Sequence, residues 1–114
     1  MAVSAHAQSE RPRPSREAAA TLVVFNTRDP ESRALADYYA ERRYIPYEQV
    51  IGLDCPTEEE ITRDQFSDTI ETPLKKLFDR KGFEDQTEVT GSRIRYVALM
   101  RGMPLKIKTT IVPP

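Results

Sequence analysis

The sequence is poor in the residues that carry most enzymatic chemistry. It has no tryptophan, only one cysteine and one histidine in 114 residues, and only four glycines. The lone Cys55 excludes an internal disulfide and a CxxC metal site. The lone His6 lies in a polar N-terminal segment, so the rest of the chain has no Ser–His or Cys–His pair. These residues contain no catalytic constellation, which leaves open whether the whole protein is an enzyme.

Common ligand-binding signatures are also missing. Neither GxGxxG nor GxxxxGK[ST] occurs, so no nucleotide site is indicated and no cofactor is predicted. The acidic run at residues 58–60 lacks the ligand spacing and turn glycine of a calcium loop, so no metal is predicted. The net charge of −1 gives no electrostatic reason to expect nucleic acid as a partner. No apolar run reaches the roughly 20 residues of a membrane-spanning helix.

The N-terminal segment has the composition of a tail. Residues 1–20 are mostly polar and include a stretch rich in proline and arginine, so we expect a disordered tail or linker there. Ala5-His6-Ala7 matches the small-x-small pattern of a signal-peptide cleavage site, although no basic or apolar region precedes it. A signal-peptide remnant predicts a periplasmic or extracellular protein, and a chance match is the alternative. The α/β domain is predicted to occupy residues 21–114.

From residue 21 onward the apolar pattern predicts the order β-α-β-α-β. The strands are predicted at Thr21–Asn26, residues 49–54 and residues 94–100, the first and last of them buried on both faces. Helical crossovers between strands imply parallel pairing, so the fold class is α/β with a small three-stranded sheet. A fourth strand at residues 106–112 is the alternative. Such a small sheet is predicted to be the N-terminal half of a larger Rossmann-like or caspase-like fold, and its exposed edges predict self-association.

Both helices have recognisable end signals. Asp29 is predicted to cap the first helix, and Thr62 with Gln65 forms a capping-box pattern within the second, which is predicted at residues 57–82. The proline after Thr72 predicts a kink or a restart there, with Thr72 as a new N-cap. Gly82 is predicted to end the second helix.

The candidate site is a rim where two strands end. If the first and third strands are neighbours, their carboxyl ends bring together a small set of rim residues. This set consists of Asn26, Thr27, Arg28, Arg101 and Gly102. A structural pair of Arg101 with Asp29 or Asp54 is the favoured interpretation, and the alternative is that Arg101 holds a carboxylate or phosphate. Gly102 is predicted to adopt a turn conformation that other residues resist.

Several short motifs, which follow one another along the chain, indicate a resemblance to a protein family. They are the asparagine after the first strand, Ser32, LADYYAERR followed by IP, GLD followed by a proline, TPL and RGMPLKI. Over residues 22 to about 107 the sequence resembles an uncharacterised bacterial family of exported proteins, from species that carry the exosortase sorting system. The resemblance implies the N-terminal α/β portion of an exported protein without established activity, which is inert within these residues.

A more distant likeness concerns the third strand. YVALMRGMP is similar to the early α/β part of gingipain-type cysteine peptidases, which share the caspase-like sheet. That likeness implies a catalytic His and Cys beyond residue 114, and it assigns no catalytic residue here. A non-catalytic cell-envelope module that binds a protein partner or acts as a scaffold is a further alternative, as is a flavodoxin-like anion-binding domain.

Overall fold

The computed structural model describes residues 14–83 and 93–108. The helices are α1 (Arg16–Ala19), α2 (Pro30–Arg43), α3 (Arg63–Phe66) and α4 (Thr72–Lys81), with a π-helical turn at Ser67–Glu71 and a 3₁₀ turn at Tyr47–Gln49. The strands are β1 (Thr21–Asn26), β2 (Val50–Leu53), β3 (Glu60–Ile61), β4 (Tyr96–Leu99) and β5 (Lys106–Ile107).

The main sheet has three parallel strands in the order β2-β1-β4. Val24 on the central strand is aligned with Ile51 on one side and with Leu99 on the other. Every residue of β1 is buried, as its continuous apolar run predicts. The predicted fold class, α/β with a small parallel sheet and β1 beside the third long strand, is confirmed.

Helices cover both faces of the central strand. Leu22 and Val24 pack on one face against a cluster that includes Leu77 of α4. Val23 and Phe25 pack on the other face against the small residues of α2 and Ile45. Full burial of side chains of this size contributes about 1.5–3 kcal/mol each. The two sides of β1 therefore hold two separate apolar cores.

Most of the predicted helix ends are present. The Asp29 side chain accepts a hydrogen bond from the Glu31 amide, which caps α2. Thr62 and Gln65 form both hydrogen bonds of a capping box. Gly82 ends α4 in the left-handed conformation with φ of 65°. Local signals are reliable at these positions because each involves residues only a few positions apart.

The predicted change in the second helix at Thr72 is present, since an α-helical segment begins there, but the N-cap role predicted for Thr72 is wrong. Thr72 has right-handed helical dihedrals, and no side chain caps α4. The π-helical turn at Ser67–Glu71 immediately precedes α4. The π-helical turn is wider than an α-helical turn, so it changes which backbone carbonyls need an amide donor. Pro73 has no N–H to donate, and it is therefore accommodated without a break in the helical path.

Two short segments depart from the predicted pattern. Lys106–Ile107 pairs in parallel with Glu60–Ile61 in a separate two-stranded sheet, so among the described residues it is not a fourth strand of the main sheet. Residues 109–112 lie outside the described residues. The second helix begins at Arg63 rather than at residue 57, because the preceding backbone pairs with β5 instead: Glu59 accepts from the amides of Leu105 and Lys106.

Regular structure begins before Thr21. The side chain of Ser15 accepts from the Ala18 amide and caps the short helix α1. Ala18 and Ala20 are buried. Gln49 holds this turn in place, because its Nε2 donates to the carbonyls of Ala18 and Thr21 at 3.0 and 2.7 Å. Residues 1–13, including Ala5-His6-Ala7, lie outside the described residues.

The strand β4 is far more exposed than its sequence predicts. Tyr96, Val97 and Leu99 are 53%, 52% and 52% exposed, whereas burial on both faces is predicted. The cause is its position, since β4 lies at the end of the strand order and, among the described residues, pairs with β1 alone. Within residues 14–83 and 93–108, no helix has the length and apolar character needed to cross a membrane.

Candidate functional site

The carboxyl ends of β1 and β4 lie side by side, which brings the predicted rim together. The chain leaves β1 toward β2 on one side and later returns to β4 on the other side. Connections that diverge in this way open a crevice at the strand ends, where α/β proteins commonly bind ligands. Asn26 is the last residue of β1, Thr27 and Arg28 begin the loop that follows it, and Arg101 and Gly102 lie in the turn after β4.

Asn26 is the centre of this rim, and it is fully buried. Its Nδ2 donates to the carbonyl oxygens of Pro56 and Gly102 at 3.0 and 2.9 Å. Its Oδ1 accepts from the Arg28 amide at 3.0 Å. The side chain thus ties together the loops that follow β1, β2 and β4, and all its polar atoms are engaged within the protein.

Gly102 completes this tie from the β4 side. Its φ is +98°, a conformation that side chains with a β-carbon resist, as the sequence predicts. A β-carbon there would lie 2.6 Å from Oδ2 of Asp29 and 3.2 Å from Cβ of Ser32. The turn after β4 therefore packs directly against the N-terminus of α2, and only glycine permits this contact.

Thr27 and Arg28 are turned toward β2. The amide and hydroxyl of Thr27 both donate to the Leu53 carbonyl, at 2.9 and 3.3 Å. Arg28 Nε donates to Oδ1 of Asp54 at 2.6 Å in an exposed salt bridge. The hydrogen bond to Asp54, with the charge of the same carboxylate, raises the pKa of Arg28. Because water screens both groups, this pair contributes little to stability.

Arg101 lies apart from the other rim side chains. It is exposed, and it makes no hydrogen bond or ion pair with the described residues. The favoured prediction for Arg101, a structural pair with Asp29 or Asp54, is wrong, because Asp29 caps α2 and Asp54 pairs with Arg28. Arg101 is therefore the one rim cation in the described chain without an internal partner.

The electrostatics of the crevice are mixed. The N-terminus of α2, which would attract an anion, already carries the carboxylates of Asp29 and Glu31 in its first turn. In the part of the chain that the structure describes, no three metal-binding side chains lie together. Most of the rim therefore acts as a structural junction, and Arg101 alone offers a free charge for binding.

Cys55, at the same sheet edge, is a core residue. It is fully buried, and its Sγ lies 3.8 Å from Sδ of Met103. Burial raises the pKa of the Cys55 thiol; the nearby charge of Arg28 opposes that change and Asp54 adds to it. A neutral thiol without access to solvent is a poor nucleophile, which matches the prediction of a packing residue.

The protonation of Cys55 makes stability pH-dependent. A raised pKa in the folded state means that the stabilisation is complete below the ordinary thiol pKa of about 8.5 and is lost as the pH rises through the folded value. We expect the free energy of unfolding, measured in urea, to fall more from pH about 7 to about 10 in the unmodified protein than in Cys55→Ala. An equal decrease in both proteins would contradict this prediction.

Ser32 has a role that sequence reasoning leaves undefined. It is fully buried in the first turn of α2, and its Oγ accepts from the Asn26 amide at 3.0 Å. The family resemblance marks this serine without indicating a role. Gln49 has no sequence signal at all, because an amide bridging α1 to β1 depends on contacts between distant positions.

The chain was compared with protein-family models, with curated proteins and with solved structures, and no match was found in any of the three comparisons.

Proposed function

We propose that this α/β unit is the N-terminal portion of a larger exported protein of the exosortase-associated kind that its sequence resembles. Within these residues it supplies a framework and no catalysis. The main support for this proposal is the edge of β4, which pairs with no second strand in the described part of the chain and where three large apolar side chains are half exposed.

The edge of β4 has the character of an interior strand. Proteins usually protect an edge strand with lysine, proline or a bulge, and β4 reads Tyr-Val-Ala-Leu. Its register with β1 places Val97 and Leu99 on the face of Leu22 and Val24. Tyr96 and Ala98 accordingly face the opposite side. Apolar residues on both faces are typical of parallel strands that have neighbours on both sides, and further strands beside β4 would bury them.

The framework role is supported by the state of the rim and of Cys55. The side-chain amide of Asn26 donates both of its hydrogen bonds to backbone carbonyls, and Cys55 is buried and neutral. Export is supported by Ala5-His6-Ala7 and by the resemblance, and fractionation of the producing cells tests it. Recovery of the protein only in the cytoplasm would contradict export.

The exposed edge of β4 leads to a testable prediction about the association state of the isolated protein. We expect the 114-residue protein to self-associate through β4, and Val97→Lys to raise the dissociation constant by at least about tenfold in sedimentation equilibrium, since lysine protects edges. Tyr47→Lys is the matched control, because Tyr47 is 74% exposed and precedes β2, which lies at the opposite end of the strand order from β4. A protein that stays monomeric would contradict self-association through β4. Equal increases in the dissociation constant for Val97→Lys and Tyr47→Lys would also contradict it. A downstream reading frame without further strands and helices would count against the larger fold.

A non-catalytic binding module of the cell envelope is the second candidate, and it is favoured by the exposed Arg101, which has no partner among the described residues. Binding of an anionic partner that persists unchanged in Arg101→Ala would remove that role. The remaining option, part of a gingipain-like peptidase, depends on a His and Cys pair encoded beyond residue 114, and a downstream sequence without that pair disposes of it.

A further inference from the structure

An open apolar groove lies beside β4 on the α4 face of the sheet. Its volume is about 590 Å³. Its apolar lining comes from the helical path of α3 and α4 and from the exposed end of β4: Phe66, Ile70, Leu74, Phe78 and Leu99. The four helical residues are spaced four apart and all line the groove, so they form one apolar row along the helical path. The groove therefore has the elongated apolar floor that a second helix requires.

A charged row borders the same groove. Glu71, Lys75 and Asp79 also line it, and they too are spaced four apart on the neighbouring ridge. Their signs alternate, negative, positive and negative. None of the three makes a salt bridge within the described part of the chain. The border thus presents a charge pattern that a partner helix would complement with a positive, negative, positive row in either direction.

The topology of the sheet explains why a helix belongs on this face. The chain passes from β1 to β2 through α2 on one face, and from β2 to β4 through α3 and α4 on the opposite face. Parallel crossovers are right-handed in nearly all proteins. A further crossover from β4 to a strand beyond it moves across the sheet in the same direction as the last one. Its helix must therefore pack on the α4 face, where the groove lies.

We propose that this groove binds an amphipathic helix of the same polypeptide, one that follows β4 and leads to the next parallel strand. Its apolar stripe covers Leu74, Phe78 and Leu99, and basic residues on its flank face Glu71 and Asp79 while an acidic residue faces Lys75. The inference rests on the proposed larger fold and adds to it the face, the structure and the charge pattern of the next element.

The test uses the 114-residue protein and two fluorescein-labelled synthetic peptides of about 18 residues, a length that supports a helix. Both peptides carry the same leucine stripe. One has an Arg–Glu–Arg row at four-residue spacing along its flank, and the other has Glu–Arg–Glu at the same positions. Fluorescence anisotropy is expected to show that the Arg–Glu–Arg peptide binds about five- to tenfold more tightly, as three exposed ion pairs allow.

Variants of exposed residues locate the binding. Lys75→Glu is expected to reduce this preference at least about threefold, because it replaces the central positive charge. Leu99→Lys is expected to weaken both peptides, whereas Tyr96→Lys, on the opposite face of the same strand, leaves both unchanged. Circular dichroism checks that each variant is folded.

Three results would overturn the inference: no binding by either peptide, equal binding of both, or a loss of binding in Tyr96→Lys as large as that in Leu99→Lys. These outcomes are separable from the edge test. If the protein self-associates through Val97 but neither peptide binds, the proposal of a larger fold is retained. The proposal of a helix docked in the groove is then rejected.

Discussion

Replacing Asn26 with aspartate is expected to lower the free energy of unfolding by about 3 kcal/mol near neutral pH. The Nδ2 group of Asn26 donates to two backbone carbonyls, and the side chain is fully buried. Asn26→Asp places an acceptor oxygen against both carbonyl oxygens and introduces a charge without a cationic partner. Denaturation in urea, followed by circular dichroism, measures the loss.

The pH dependence of that loss identifies its cause. A protonated carboxyl donates one hydrogen bond, so the fold favours the protonated form and the pKa of the new group is expected to be raised. The penalty of Asn26→Asp should therefore shrink as the pH falls toward about 4, the ordinary carboxyl pKa.

Gln65→Glu is the control for Asn26→Asp. It is also an amide-to-acid change, but it is exposed, and glutamate serves the capping box equally well. It should change the free energy of unfolding by less than about 0.5 kcal/mol. Similar losses in the two variants, or no loss in Asn26→Asp, would show that Asn26 does not join the loops as described.

Gly102→Ala is expected to reduce the free energy of unfolding by about 2–3 kcal/mol. Two causes act together: a φ of +98°, and a β-carbon 2.6 Å from the Asp29 carboxylate. Thermal and urea denaturation of the purified variant measure the loss.

Gly82→Ala separates the two causes. Gly82 also has a positive φ, +65°, but a β-carbon there meets nothing within 4 Å, so we expect a loss of only about 1 kcal/mol. Asp29→Ser keeps a capping side chain and is shorter, so combining it with Gly102→Ala should recover part of the loss. Equal losses at the two glycines would mean that the turn does not press against α2.

The two largest effects are expected to be coupled. Asn26 donates to the Gly102 carbonyl, so displacing the turn weakens that hydrogen bond as well. Contacting residues usually give non-additive changes in stability, and the double variant should lose less than the sum of the single losses. The rim therefore behaves as one structural unit.

The accuracy of the sequence predictions depended on the range of the interactions involved. The capping box of Thr62 and Gln65 and the glycine stop at Gly82 were correct because they depend on neighbours within a few residues. The N-cap role predicted for Thr72 was wrong because a π-helical turn leads directly into this segment and accommodates the proline that follows Thr72. The alternative of a fourth main-sheet strand at residues 106–112 was wrong for Lys106–Ile107, because its pairing with Glu60–Ile61 has no local sequence signal.

The predicted strand order identified the position of the candidate rim. It did not identify the hydrogen bonds and ion pairs that the rim residues form. Parallel strands bring their carboxyl ends together, which correctly placed Asn26 near Gly102. The sequence did not indicate that the Asn26 amide is fully used by the backbone, that Arg28 rather than Arg101 pairs with Asp54, or that Ser32 supports the junction. Each of these contacts joins side chains or loops from different elements.

By itself, the sequence determined the order of the longer elements, the parallel sheet and most helix ends, because apolar periodicity and capping act over one or two turns of chain. Only the tertiary structure decided that β4 is an exposed edge of the sheet that residues 14–83 and 93–108 form, and that the apolar row along α3 and α4 borders an open groove. An apolar run indicates that a segment favours burial. Whether the segment is buried depends on the packing of helices and strands from distant parts of the chain.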